Sequence, residues 1–73
     1  MVVTLRKITD KDGYSYVIFE NDRDIEFYYV DLPLIKNRGD VNRWIEHLSA
    51  KRWFTIDLRN KFADICEKHL SIT

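Results

Sequence analysis

Residues 14–31 decide the fold: Tyr14-Ser15-Tyr16-Val17-Ile18-Phe19-Glu20, then Asn21-Asp22-Arg23-Asp24, then Ile25-Glu26-Phe27-Tyr28-Tyr29-Val30-Asp31. Two short runs of β-branched and aromatic residues flank a cluster of turn formers, which is the pattern of a β-hairpin. Pro33 stops the second run, because it has no N–H to donate to a ladder. Upstream, residues 2–8 (Val-Val-Thr-Leu-Arg-Lys-Ile) make a third short β run, and Asp10-Lys11-Asp12-Gly13 supplies the turn between it and Tyr14. Short connections join antiparallel neighbours, so the run at 14–20 is expected at the centre of a three-stranded meander.

Opposing Ile8 to Tyr14 and Glu20 to Ile25 assigns the two faces. One carries Val3, Leu5, Val17, Phe19, Tyr28 and Val30, the cleaner hydrophobic set, and is expected to meet the rest of the chain. The other carries Thr4, Arg6, Tyr14, Tyr16, Ile18, Ile25, Phe27 and Tyr29. A sheet with one wet side alternates apolar with polar residues, and the second and third runs do so poorly. A slip of one residue would exchange the faces without removing the apolar excess.

Beyond Pro33, Leu32, Leu34 and Ile35 are expected to fold back over an edge of the core. Asp40 has the chemistry of a helix N-cap. Val41, Trp44, Ile45 and Leu48 then follow at i, i+3, i+4 and i+7, one apolar stripe of a helix. After a bend at 49–54, Thr55 is a second N-cap candidate. Leu58, Phe62, Ile65, Cys66, His69 and Leu70 share a face of the helix that follows. The expected fold is α+β, a three-stranded antiparallel meander followed by two α-helices packed on one face (β-β-β-α-α), in one domain over 1–73.

Composition narrows the function classes. Twelve Lys plus Arg balance twelve Asp plus Glu in 73 residues, which argues against a polybasic nucleic-acid binder and against an acidic nucleic-acid mimic. A chain this short makes a thin core, so a deep private catalytic pocket is not expected. Ten aromatic residues help such a core. The single cysteine, Cys66, rules out an intrachain disulfide and fits a reducing compartment, so the cytoplasm is the expected location. No apolar run approaches the ~20 residues of a membrane helix, and the N-terminal residues lack the pattern of a secretory leader.

Three small motifs invite chemistry. Cys66 and His69 stand at i, i+3 on a helix, the spacing of two metal ligands, but a structural zinc site wants four and only His47 and carboxylates remain. Glu46 and His47 are adjacent, hence about 100° apart around a helix, and do not face each other. Arg38-Gly39-Asp40 spells an adhesion tripeptide but is explained by a loop glycine and a cap. No metal, cofactor or catalytic group is expected.

Two surfaces remain as candidates. The aromatic sheet face, Tyr14, Tyr16, Ile18, Phe27 and Tyr29, has the composition of a protein interface, and contiguous apolar patches of this kind are rare on monomers. It predicts a homodimer or another protein partner. The segment 51–61 places Lys51, Arg52, Arg59 and Lys61 around Trp53 and Phe54, with one acid, Asp57, among them. Basic side chains could contact phosphates while Trp53 stacks on a base. Residues 1–40 carry six basic and eight acidic side chains, a balance of −2, and residues 41–73 carry six and four, a balance of +2. That asymmetry is milder than nucleic-acid domains show. The first reading is therefore a small non-catalytic interaction or regulatory module, self-associating through the aromatic face; the alternative is a nucleic-acid-binding regulator using 51–61.

Overall fold

The computed structural model describes residues 2–23 and 26–72, without the side chains of Glu26, Phe27 and Ile72. The element order is β1 (Val3–Thr9), β2 (Ser15–Asn21), β3 (Glu26–Asp31), a 3-10 turn (Leu32–Leu34), α1 (Arg38–Ser49) and α2 (Ile56–Ile72). The sheet order is β1-β2-β3, antiparallel throughout. This is the expected α+β arrangement, with β2 central.

The first turn is built by Asp10. Its Oδ1 accepts from the N–H groups of Asp12 and Tyr14, both at 2.9 Å. Gly13 sits at φ 85°, in the left-handed region that lacks a penalty only for glycine, and donates to the Asp10 carbonyl at 3.1 Å. The ladder therefore runs to Thr9–Ser15, and Ile8 opposes Tyr16 rather than Tyr14. On the other side Val17 opposes Val30 and Phe19 opposes Tyr28, with an irregularity between Phe19 and Glu20 that places Glu20 opposite Glu26. Ile25, the expected partner of Glu20, lies outside the described residues. From Val3 to Thr9 on β1 and from Tyr28 to Val30 on β3 the pairing is displaced from the expected register by two residues, an even number, so these side chains keep their expected faces, whereas past the irregularity Glu20 is displaced by one.

Val17, Phe19 and Val30 on one face join Leu32, Ile35, Val41, Leu48, Phe62 and Cys66 in a single buried cluster. Leu58 is buried as well. Val3, Leu5, Tyr28, Trp44, Ile45, Trp53, Phe54, Ile65 and Leu70 pack around that cluster. Both helices thus lie on the same side of the sheet, and the molecule is only 15 Å thick through its Cα positions. Phe19 is the hub: its ring centroid lies 5.1 Å from Trp53, 6.1 Å from Tyr28, 6.2 Å from Phe54 and 6.3 Å from Phe62.

Two local expectations are corrected. Leu34 does not close the core; it is exposed, while Leu32 and Ile35 are buried. A 3-10 turn has three residues per turn, so residues 32 and 35 share a side and 34 points away. The N-cap of α1 is Asn37 rather than Asp40. Asn37 Oδ1 accepts from the Asp40 N–H at 2.9 Å, and Asp40, now at the third helical position, reaches back to the Lys36 N–H at 2.9 Å. This is a reciprocal capping arrangement. Arg38, Gly39 and Asp40 are consequently the first turn of a helix, not a loop. Thr55 caps α2 as expected: its Oγ1 accepts from Leu58 N–H at 3.3 Å and its carbonyl from Arg59 N–H at 2.9 Å.

Candidate interaction face

The face of the sheet turned away from the helices carries Thr4, Arg6, Ile8, Tyr14, Tyr16, Ile18, Glu20, Tyr29 and Asp31, by strand alternation. Ile18 is fully buried although it lies outside the core cluster. Its shield is the ring of side chains around it on the same face. Tyr16 stands 6.5 Å from Tyr14 and 6.5 Å from Tyr29, the second pair edge to face. These three rings, with Ile18 and Asp31, line a groove of about 270 Å³. Tyr29 remains 64% exposed and Tyr14 42%, so the face is aromatic, furrowed and open.

Its charges are few and ordered. Arg6 Nε donates to Glu20 Oε1 at 2.5 Å, and Glu20 is buried by this contact. Asp31 stands at the other end of the face, beside Tyr14. Partial desolvation, then a hydrogen bond to Asp31 and the charges of Asp31 and Asp10, push the Tyr14 phenol above its ordinary value. The end of the groove at Asp31 is therefore electronegative, and among the described residues no basic side chain lines it.

Of the residues expected on this face, Tyr14, Tyr16, Ile18 and Tyr29 come together in one groove; the side chain of Phe27 lies outside the described residues. Asp31 was not singled out from the sequence. The signal for it was available in alternation, which puts Asp31 on the same face as Tyr29; the structure sets it opposite Tyr16.

The basic segment is divided by the fold. Trp53 packs against Phe19 and Tyr28 at the edge of the core, 5.1 and 5.9 Å away. Lys51 Nζ lies 5.0 Å from the Tyr28 ring centroid, a cation–π contact. Arg52, Arg59 and Lys61 are exposed. The stretch thus holds a helix-helix corner against the sheet, with Trp53 half-buried on the core and the outer charges solvated.

The remaining candidates are accounted for locally. Cys66 is fully buried, and burial pushes its thiol up to about 12, away from thiolate chemistry. His69 donates from Nε2 to the Ile35 carbonyl at 3.2 Å, tying the end of α2 to the chain leaving the sheet. Among the described residues no three His, Cys, Asp or Glu side chains are grouped to hold a metal ion. A second concave site, also about 270 Å³, lies between Leu34 and α1, lined by Asp40, Arg43, Trp44 and His47. Its polar groups are already paired: Arg43 donates to Asp40, and His47 Nε2 shares a hydrogen bond with the Tyr28 hydroxyl at 3.1 Å. Among the described residues no helix is long and apolar enough to cross a membrane.

In comparisons with protein-family models, with curated proteins and with solved structures, nothing matches this chain.

Proposed function

We propose that this chain is a small non-catalytic interaction module that self-associates through the aromatic face of its sheet. The observation that carries this reading is the open groove of Tyr14, Tyr16, Ile18 and Tyr29 on the side of the sheet opposite both helices. Tyrosine is favoured at interface hot spots because it buries a large ring while its hydroxyl tolerates water before association. Covering such a face with a second polypeptide removes apolar area from water at about 25 cal/mol per Å². The engaged position of Trp53 supports the same ranking over nucleic acid.

The test is light scattering of the purified protein across a wide concentration range, beside Tyr16→Glu and Tyr29→Glu. A wild-type dimer that each substitution dissociates, with the circular dichroism of the fold retained, supports the reading. A protein that stays monomeric at the highest concentration overturns it. Tight binding of labelled DNA or RNA at moderate salt, lost on Arg59→Ala and Lys61→Ala, would replace it with the nucleic-acid reading.

A further inference from the structure

The tyrosine groove combines aromatic walls with a carboxylate at one end. Tyr16 stands between Tyr14 and Tyr29, 6.5 Å from each. The planes of Tyr16 and Tyr29 are inclined at 74°, and those of Tyr14 and Tyr16 at 42°. Rings set at such angles make adjoining walls of a furrow, not a flat stack. Ile18, fully buried, is the floor. Asp31 lies opposite Tyr16 in the ladder and lines the groove beside Tyr14.

The fold does not use the Asp31 carboxylate as a cap or as half of an ion pair. Asp31 precedes the 3-10 turn, yet its side chain makes no capping hydrogen bond there. Among the described residues no Lys, Arg or His pairs with it. Glu20 on the same face is the contrast, buried and held by Arg6. The acid in the groove is thus open to a cation from outside, and the acid beyond it is not.

We infer that this groove is a binding site for a small, free quaternary ammonium ion, a trimethylammonium head group on a short chain. This goes beyond the self-association proposed above and does not rest on it, because the described lining belongs to one copy.

The walls and the charge both favour a cation. The face of a tyrosine ring is the negative side of its quadrupole and attracts a cation within about 6 Å of the centroid. With centroids 6.5 Å apart, one ion seated between Tyr16 and Tyr29 reaches both rings. Asp31 adds a full opposite charge at the end of the same groove. An anion is opposed by that charge, and a neutral apolar ligand would take water from the carboxylate without replacing it.

Alkylation of the nitrogen decides the class of cation. A primary ammonium is compact, strongly hydrated and carries three donors. Rings and Ile18 cannot replace the water it would lose, and one carboxylate replaces only part of it. A quaternary ammonium has no N–H to satisfy, and its methyl groups gain from burial against the rings and Ile18. The groove volume of about 270 Å³ is at the small end of ligand sites, which suits a head group with a short chain and not a large cofactor.

Titration of choline chloride into the wild-type protein, followed by NMR, decides the matter. The protein is held below the concentration at which light scattering detects association, so that a second copy on the same face does not compete. Saturable binding is expected with a Kd of about 1 mM, because each exposed cation–π contact contributes only a few-fold in affinity. The signals of Tyr14, Tyr16, Tyr29 and Asp31 are expected to move, and the choline methyl protons to shift upfield over the ring faces. The neutral carbon isostere, with tert-butyl in place of trimethylammonium, is expected to bind about tenfold more weakly or worse. Asp31→Asn is expected to weaken choline binding about fivefold. Tyr29→Leu is expected to weaken it about threefold to fivefold, while Tyr29→Phe, which keeps the ring, stays within about twofold of wild type. Equal binding of the isostere, or indifference to both Asp31→Asn and Tyr29→Leu, overturns the site. So does a failure to saturate by about 100 mM, or binding to phosphatidylcholine vesicles without binding to free choline. If Tyr29→Leu does not fold, the wild-type signals carry the decision: shifts confined to residues outside the groove refute it. Failure here leaves self-association standing, and a protein that is monomeric at every concentration leaves this site standing.

Discussion

Cys66 and its neighbours show how a reactive residue type becomes structural. The thiol sits with Phe62, Leu48 and Val17 in the core cluster, with no exposed surface. Burial raises its folded-state value to about 12 from the ordinary 9.0. The sign follows from linkage. Below pH 9 the thiol is protonated in both states and the shift costs nothing. Above pH 9 the unfolded chain releases this proton and the folded chain holds it, so stability falls as pH rises from 9 towards 12, by up to about 1.4 kcal/mol per pH unit. Chemical unfolding at pH 8 and pH 10.5 is expected to show a loss that is smaller in Cys66→Ala than in the wild type; parallel losses would remove Cys66 as the cause. The same burial makes the native thiol slow towards a disulfide reagent and fast once the chain is unfolded.

At the scale of elements, the start of α1 is the most informative. The sequence reading took Gly39 as a loop glycine and put the cap at Asp40, because glycine is a poor helix residue. The structure uses Asn37 as the cap and Asp40 as the reciprocal acceptor. The N–H of Lys36, then Arg43, hold the Asp40 carboxyl below its ordinary value of 3.8. A depressed carboxyl stabilises the fold above that value and loses its effect as pH falls below 3.8 through the folded value. Asn37→Ala is expected to cost about 1 kcal/mol in denaturant unfolding, and a change within error would remove the cap.

The basic-aromatic corner separates by the same logic. Trp53→Ala deletes a ring packed on Phe19 and Tyr28, and the cost is expected at about 2–4 kcal/mol, somewhat less than for a fully enclosed ring. Arg52→Ala and Arg59→Ala lie on exposed positions and are expected within about 0.5 kcal/mol of wild type. Denaturant midpoints of the three variants check the contrast, and equal effects would contradict it. The two helical stripes, the order of strands and both sheet faces were legible in the sequence because each depends on a period, 3.6 or 2, that survives a boundary error. The register was not, because it depends on turn geometry: Asp10 and Gly13 centre the loop one residue further along the chain than alternation alone reveals. Leu34 was misplaced for a similar reason, since a three-residue turn of 3-10 helix reverses a side chain that a strand or an α-helix would have kept near the core. Likewise, the sequence alone did not show that Trp53 turns inward while the charges around it stay outside.

The whole molecule is a two-layer sheet-and-helix slab, and such a slab covers only one face of its sheet. The apolar content of 45% is divided between the covered face and the open one. Ile18 illustrates the compromise: it is buried, yet by tyrosines and by the neighbouring strands rather than by a helix. Apolar area left over after one thin core forms contributes little to the stability of an isolated copy, and contributes more when a second surface closes on it. Folding and association are then coupled, and a small domain gains stability by mass action. A domain of this size shifts its melting temperature by about 4–8 °C for each kcal/mol. A hundredfold rise in protein concentration is therefore expected to raise the melting temperature by roughly 5 °C, by the same linkage. Calorimetry or circular dichroism at both concentrations checks this. Tyr29→Glu is the control, because Tyr29 is 64% exposed and its replacement leaves the helix-covered core intact. That variant is expected to melt at one temperature regardless of concentration, close to the dilute wild type. A wild-type melting temperature that does not move with concentration would mean that the open face is complete without a partner, and the excess apolar surface would then have to be explained by the tyrosine hydroxyls alone.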